Sequence, residues 1–156
     1  MEKCTSTGQR IYVGRGASLV MVDCRFFGSG LGVHCVGKLV VTRCKIEDSK
    51  SDGEFVEGGE AKLVESVMRN NGGNGMNANS RAILEGGTIS GNKQHGVLTG
   101  RAKVIVAAAE HCEQTVSSGN GEHSWATQYG GKIAGLAEGI QAHGIQAHFA
   151  DALTFA

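Results

Sequence analysis

Proline is absent from all 156 residues, which excludes collagen-like chains and proline-rich spacers, since both depend on the fixed φ of the pyrrolidine ring. Aromatic residues are only 5% of the chain and Trp occurs once, so a long sugar platform made of stacked rings is hard to assemble. Neither sign of charge is in excess, with 15 basic and 15 acidic residues. No long-range positive field gathers such a chain onto phosphate backbones, and nucleic acid is not an expected partner. No run approaches the ~18 apolar residues that a spanning helix requires, and residues 1–8 lack the apolar centre of a signal peptide. A membrane is therefore not an expected partner, and the expected location is cytoplasmic.

The cysteines, Cys4, Cys24, Cys35, Cys44 and Cys112, form no C-x-x-C pair, and an odd number cannot all be bridged within one chain. Reduced thiols are the simpler expectation. There is no Asn-x-Ser/Thr sequon either, a second argument against a secreted glycoprotein.

What the chain has in quantity is glycine, 25 of 156 residues, which calls for many tight turns. It also has a period. Gly75-Met76 is followed by Gly96-Val97 after 21 residues, and Ala82-Ile83-Leu84 by Lys103-Val104-Ile105 after 21. Upstream, Leu19 maps to Leu39, Cys24 to Cys44 and Phe26 to Ile46, each 20 residues on; Gly32, Gly53 and Gly75 follow at 21 and 22. Leu39 to Leu63 is 24, which predicts an insertion at residues 57–60 recovered by a shorter corner beyond Leu63. Each unit carries short β-branched runs, such as Ile11-Tyr12-Val13 and Leu19–Val22, and no amphipathic helix. A period of 20–24 residues with three short strands per unit predicts a solenoid.

The segments TISGNKQHGVLTG (88–100) and VMRNNGGNGMNAN (67–79) resemble the I-x-x-N-x-x-x-G-[IV] unit of right-handed parallel β-helix proteins, the pectate-lyase-like superfamily. The resemblance covers about residues 10–110. It implies an all-β, short right-handed parallel β-helix in which like residues stack on successive rungs. That superfamily includes polysaccharide lyases, glycosidases, uronan epimerases and non-catalytic repeat domains, so the resemblance implies fold more than activity. Four to five rungs at ~4.8 Å would make a column about 20–25 Å long. Strand alternation predicts that Val33 and Cys35, Met76 and Ala78, and Val97 and Thr99 point inward.

After Glu110 the phase is lost. Residues 1–112 are expected to form the rungs, and 113–156 a Gly-rich polar segment ending in an irregular or helical tail. Ile133, Leu136, Ile140, Ile145, Phe149 and Leu153 follow helical spacing over 132–156, although Gly135, Gly139 and Gly144 weaken a helix by about 1 kcal/mol each. The exact duplication GIQAH-GIQAH at 139–148 is low-complexity. An uncapped rung exposes strand edges, which predicts end-to-end self-association or a larger parent chain.

No metal or cofactor is expected. His34-Cys35 and His111-Cys112 would place His and Cys on opposite faces of a strand, unsuited to shared coordination. Residues 48–53 begin like a calcium loop, yet Lys50 stands where an oxygen ligand belongs and Gly59 where the closing Glu should be. Cys24 and Cys44 share a phase and are expected as an inward stack of thiols. No catalytic residue is expected, because a lyase or hydrolase needs a convergent acid and base. Asp23, Glu47, Asp48, Asp52, Glu54, Glu65 and Glu85 scatter instead, with Asp23 and Arg43 placed for a cross-rung pair.

The outward column of the Gly-Val strand is the expected ligand surface: Tyr12, His34, Asn77 and Leu98, with Glu54 or Val56 in the gap; Trp125, outside the clear rungs, is a separate candidate. Tyr12, His34, Asn77 and Trp125 are the candidate binding residues. The expected function is a non-catalytic interaction scaffold for a protein partner or a polysaccharide. The alternative is a fragment of a polysaccharide lyase, hydrolase or epimerase.

Overall fold

The structure is a computed structural model, and it describes residues 5–8, 10–28, 30, 32–107, 116–136 and 140–144. After β1 (Thr5–Thr7), strands follow in threes: β2 (Ile11–Val13), β3 (Ser18–Val22) and β4 (Arg25–Phe27); β5 (Val33–Cys35), β6 (Lys38–Thr42) and β7 (Lys45–Glu47). Then come β8 (Glu54–Val56), β9 (Glu60–Val64) and β10 (Val67–Arg69), and β11 (Met76–Ala78), β12 (Arg81–Glu85) and β13 (Thr88–Ser90). The series continues with β14 (Val97–Gly100), β15 (Lys103–Ala107) and β16 (Val116–Ser118), then β17 (Trp125–Gln128), β18 (Lys132–Ala134) and β19 (His143–Gly144).

Up to β18 every third strand joins the same parallel sheet, and β19 then pairs with β17. Sheet A is β1-β4-β7-β10-β13-β16, sheet B is β2-β5-β8-β11-β14-β17-β19, and sheet C is β3-β6-β9-β12-β15-β18. This is a parallel β-helix, as expected. Strands β16 to β19 extend the same sheets beyond residue 112, so the column runs past the expected boundary. Over residues 132–144 the described residues hold strands β18 and β19 where a helix was expected, and no helix; residues 145–156 lie outside the described ones.

Period-two alternation builds the core. Leu39, Val41, Ile46, Val56, Met68, Met76, Leu84, Ile89 and Val97 are all fully buried, and each such side chain contributes on the order of 1.5–3 kcal/mol. Val33, Cys35, Ala78 and Thr99 point inward as expected.

Two expected alignments slip. Leu39 pairs with Ala61, not Leu63, and Val41 pairs with Leu63. A two-residue shift keeps a side chain on the same face, so Leu63 imitated the right phase: the corner at 57–59 holds one extra residue rather than two or three, and the corner beyond Val64 is no shorter than its counterpart beyond Thr42. Ala82 pairs with Val104, 22 residues on, whereas Met76 pairs with Val97 after 21. The extra residue is taken up at the corner between β14 and β15.

One corner repeats in conformation as well as in length. Asp23, Arg43, Glu65 and Gly86 occupy one corner column with φ of 54°, 49°, 49° and 66°. At another corner a Cβ on Gly37 would collide with the carbonyl oxygens of Gly14 and Ala17. Cys24 is disulfide-bonded, while Cys35 and Cys44 are free. The expectation of reduced thiols fails at Cys24 because an odd count leaves one thiol over without forbidding a bridge. Cys24 and Cys44 do share a corner: the Cys24 N–H donates to Cys44 Sγ at 3.3 Å, and the Cys44 N–H to Ser66 Oγ at 3.2 Å. Cys4 and Cys112, with His111, lie outside the described residues.

Candidate functional site

Sheet B presents an outward column of side chains, because its three-residue strands β2, β5, β8 and β11 have one middle position each and β14 and β17 continue the line. The register runs Tyr12, His34, Phe55, Asn77, Leu98, Ala126. Tyr12, His34 and Asn77 are thus brought onto one face. Phe55 fills the gap that the sequence reading gave to Glu54 or Val56. Both of those point inward, aligned with Val33 and Cys35, because alternation along β8 leaves only the middle residue outside.

Three rings stand in succession. Tyr12 and His34 meet edge to face at 5.1 Å between centroids, and His34 and Phe55 are tilted at 5.1 Å. Tyr12 is 57% exposed and carries the Arg10 guanidinium 5.8 Å from its ring centroid. His34 Nε2 lies 2.6 Å from Glu57 Oε2. Asn77 Nδ2 donates to Asp52 Oδ2 at 3.4 Å. His34 Nδ1 and Asn77 Oδ1 are buried polar atoms with no hydrogen-bond partner. The column closes toward β17, since Leu98 and Ala126 are buried. The open part is the ring ladder at Tyr12, His34 and Phe55.

Trp125 does not join this face. It pairs with Val97 and is 4% exposed, continuing the inward column of Val33, Glu54, Met76 and Val97. A large indole earns burial more readily than display.

Carboxylates do not converge. Glu47, 2% exposed, lies between Arg25 Nε at 2.5 Å and Arg69 Nε at 2.6 Å. Burial acts to raise its carboxyl, but the hydrogen bonds from Arg69 and Arg25 outweigh it and hold it below the ordinary value. Asp23 holds Arg43 at 2.9 Å, as expected; Glu85 holds Lys62 and Glu60 holds Arg81, each at 3.2 Å. Glu54 is fully buried with both oxygens unpartnered, and burial pushes its carboxyl up to about 8. Burial, together with the Glu54 charge, pushes the Cys35 thiol up to about 11, so it is no nucleophile at neutral pH. Among the described residues no three His, Cys, Asp or Glu side chains come together as a metal site needs. No helix among them is long and apolar enough to cross a membrane.

Sequence reasoning missed a second polar line at the turn that leads into sheet B. Asp52, Asn74, His95 and His123 succeed one another there. The Asn74 N–H donates to Asp52 Oδ1 at 2.7 Å, and the His95 N–H to Asn74 Oδ1 at 3.0 Å. The His123 N–H donates to His95 Nδ1 at 3.3 Å. The signal was present as Asp52-Gly53-Glu54, Asn74-Gly75-Met76 and His95-Gly96-Val97, a polar residue before each glycine that opens a strand.

Comparison with known proteins agrees with this architecture. Residues 29–119 match the family model described as the right handed beta helix region. No curated protein matches the chain. Among solved structures, the crystal structure of tailspike protein 3 of bacteriophage CBA120 is similar, with a TM-score of 0.50 and 16% identity. The alignment covers 94% of this chain and 33% of the tailspike, so the chain spans about a third of that protein's length. At that identity the likeness is one of fold. With more than half its length matched and its sheets closed coil upon coil, the chain belongs to the right-handed β-helix family.

Proposed function

We propose that this chain is a non-catalytic β-helix domain that binds carbohydrate along the outer face of sheet B. The observation that carries the reading is the ring ladder of Tyr12, His34 and Phe55, with rings 5.1 Å apart and Glu57 beside them. Aromatic faces hold the apolar faces of sugar rings, and carboxylate and imidazole groups at their edge take the hydroxyls. The superfamily that residues 67–79 and 88–100 resemble includes polysaccharide-active members among others, which is compatible with this class of ligand. The non-catalytic part of the reading is supported by the carboxylates, which are engaged apart from one another: Glu47 by Arg25 and Arg69, Asp23 by Arg43, Glu85 by Lys62 and Glu60 by Arg81.

Affinity electrophoresis against a panel of neutral and acidic polysaccharides tests it. At least one polysaccharide is expected to retard the protein, and Tyr12→Ala or Phe55→Ala to weaken that binding about tenfold, a loss of about 1.4 kcal/mol. Retardation by none, or equal retardation of both variants, would refute the proposed face. An assay for unsaturated or reducing-end products should stay at background; turnover would overturn the non-catalytic reading and restore the enzyme alternative.

A further inference from the structure

The turn that leads into sheet B is held by one side-chain acceptor per coil, each taking the backbone N–H of the coil above. Asn74 supplies an amide oxygen, which has no proton to gain near neutral pH. His95 supplies a ring nitrogen. Its Nε2 lies 3.0 Å from Glu122 Oε2 and so carries the ring proton, leaving Nδ1 as a lone pair for the His123 N–H at 3.3 Å. Two further imidazoles stand over it: His95 and His123 are stacked at 5.3 Å and 7°, and His123 and His143 at 3.8 Å and 18°.

From this geometry we infer that His95 is a proton-operated latch for the coil that starts at His123: neutral, it holds that coil, and protonated, it lets it go. A proton on Nδ1 turns the acceptor into a donor facing another donor, so the bond to the His123 N–H is lost. The new cation lies under two further imidazoles, and positive charge on either disfavours another at stacking distance.

The groups facing His95 do not cancel this. Below it are the Asn74 amide and, one coil further, Asp52, already engaged by the Asn74 N–H and Nδ2. Beside it, Glu122 attracts the cation, but Glu122 is 53% exposed and its charge is screened by water. Above it stand His123 and His143. Burial holds the His95 imidazole below its ordinary value, with Glu122 working against that shift and His123 and His143 adding to it. A base whose folded pKa is lowered is stabilising while neutral. Its contribution is therefore present above about pH 6.5 and is lost as the pH falls through that value toward the folded one.

The released unit is defined. His123 is followed by β17, which pairs with β14 on one side and β19 on the other, and β17 carries the buried Trp125. Trp125 is the only tryptophan of the chain and reports on its own coil.

The test follows Trp125 emission and amide hydrogen exchange of residues 123–128 while the pH is lowered from about 7.5 to about 5, with far-UV circular dichroism to confirm that the column persists. Wild-type protein is expected to shift its emission to the red and lose protection in 123–128 while keeping its strand signal. His95→Asn replaces the titrating acceptor with the amide used at Asn74, and should hold blue emission and protection across the range. No change in the wild type, or the same midpoint in His95→Asn, overturns the latch. Should His95→Asn lack strand signal at neutral pH, His143→Ala decides instead. Removing one stacked ring should move the wild-type transition to lower pH, and an unmoved midpoint overturns the latch as well.

Discussion

Glu54 breaks the rule that governs its neighbours. It occupies the inward column between Val33 and Met76, fully buried, with neither carboxyl oxygen partnered. An ionised carboxylate there would cost far more than any packing contact returns, so the group is held as the acid, with burial pushing it up to about 8. The sign of the consequence is fixed. A raised folded value stabilises while the group is protonated, so this contribution is fully present below about pH 4.5 and is lost as pH rises through about 8. We expect the urea midpoint of the wild type to fall between pH 6 and pH 9, and that of Glu54→Met, which continues the apolar column, to stay nearly level. At pH 9 the variant should be more stable by roughly 3–5 kcal/mol; a wild-type midpoint equal at the two pH values would refute the buried acid. The sequence does carry the phase, since Gly53 stands in line with Gly32 and Gly75 and puts Glu54 at the position of Val33 and Met76, but the residue type argues against it. Price alone sends a glutamate to the surface, and only the register set by Val33, Cys35, Met76 and Ala78 forces it in.

Between strands, the element that ties coil to coil is a row of side-chain amides inside the bend from sheet A to sheet B. Asn71 Oδ1 accepts the Ser49 N–H, Asn92 Oδ1 the Asn71 N–H, and Asn120 Oδ1 the Asn92 N–H, each at 3.1 Å. The amide groups also link to one another, Asn71 Nδ2 to Asn92 Oδ1 and Asn92 Nδ2 to Asn120 Oδ1, both at 2.9 Å. Asn92 Nδ2 additionally reaches the Met68 carbonyl at 3.3 Å. Asn92→Ala removes the acceptor of a buried N–H and the donor to a buried carbonyl at once. With about 1–3 kcal/mol for each orphaned group, a loss of roughly 2–5 kcal/mol is expected in denaturant unfolding, whereas Lys93→Ala, at the exposed next position, should change little. Equal stabilities for the two variants would contradict the ladder. The repeating Asn of the N-x-x-x-G pattern was visible at Asn92 as part of a corner. Its partner Asn120 was not, because 28 residues separate them where the coils from β1 to β15 repeat at 20–22, and the added residues hid the repeat.

For the molecule as a whole, the column was legible because a coil can bury its inner face only against other coils, which writes the period into the sequence. What stayed hidden was register, since a slip of two residues preserves the face and exchanges Ala61 for Leu63 opposite Leu39 without disturbing the pattern. The candidate face was half legible: His34 and Asn77 stand two residues after Gly32 and Gly75, and Phe55 stands two after Gly53 by the same rule, although the charge of Glu54 argued against it; Trp125 depends on the register of β17. A column of this kind is held by nearest neighbours, so damage should spread along it by distance in coils. Leu84 is 1% exposed in β12, between Leu63 of β9 and Val106 of β15. Leu84→Ala removes methyl groups that neither neighbour can replace, and a cost of about 2–5 kcal/mol is expected. In native-state hydrogen exchange the lost protection should be deepest in β9, β12 and β15, and shallower in β3, three strands away in sheet C. If protection fell equally in β3 and β9, the column would unfold as one cooperative block, and the nearest-neighbour account of this fold would be wrong.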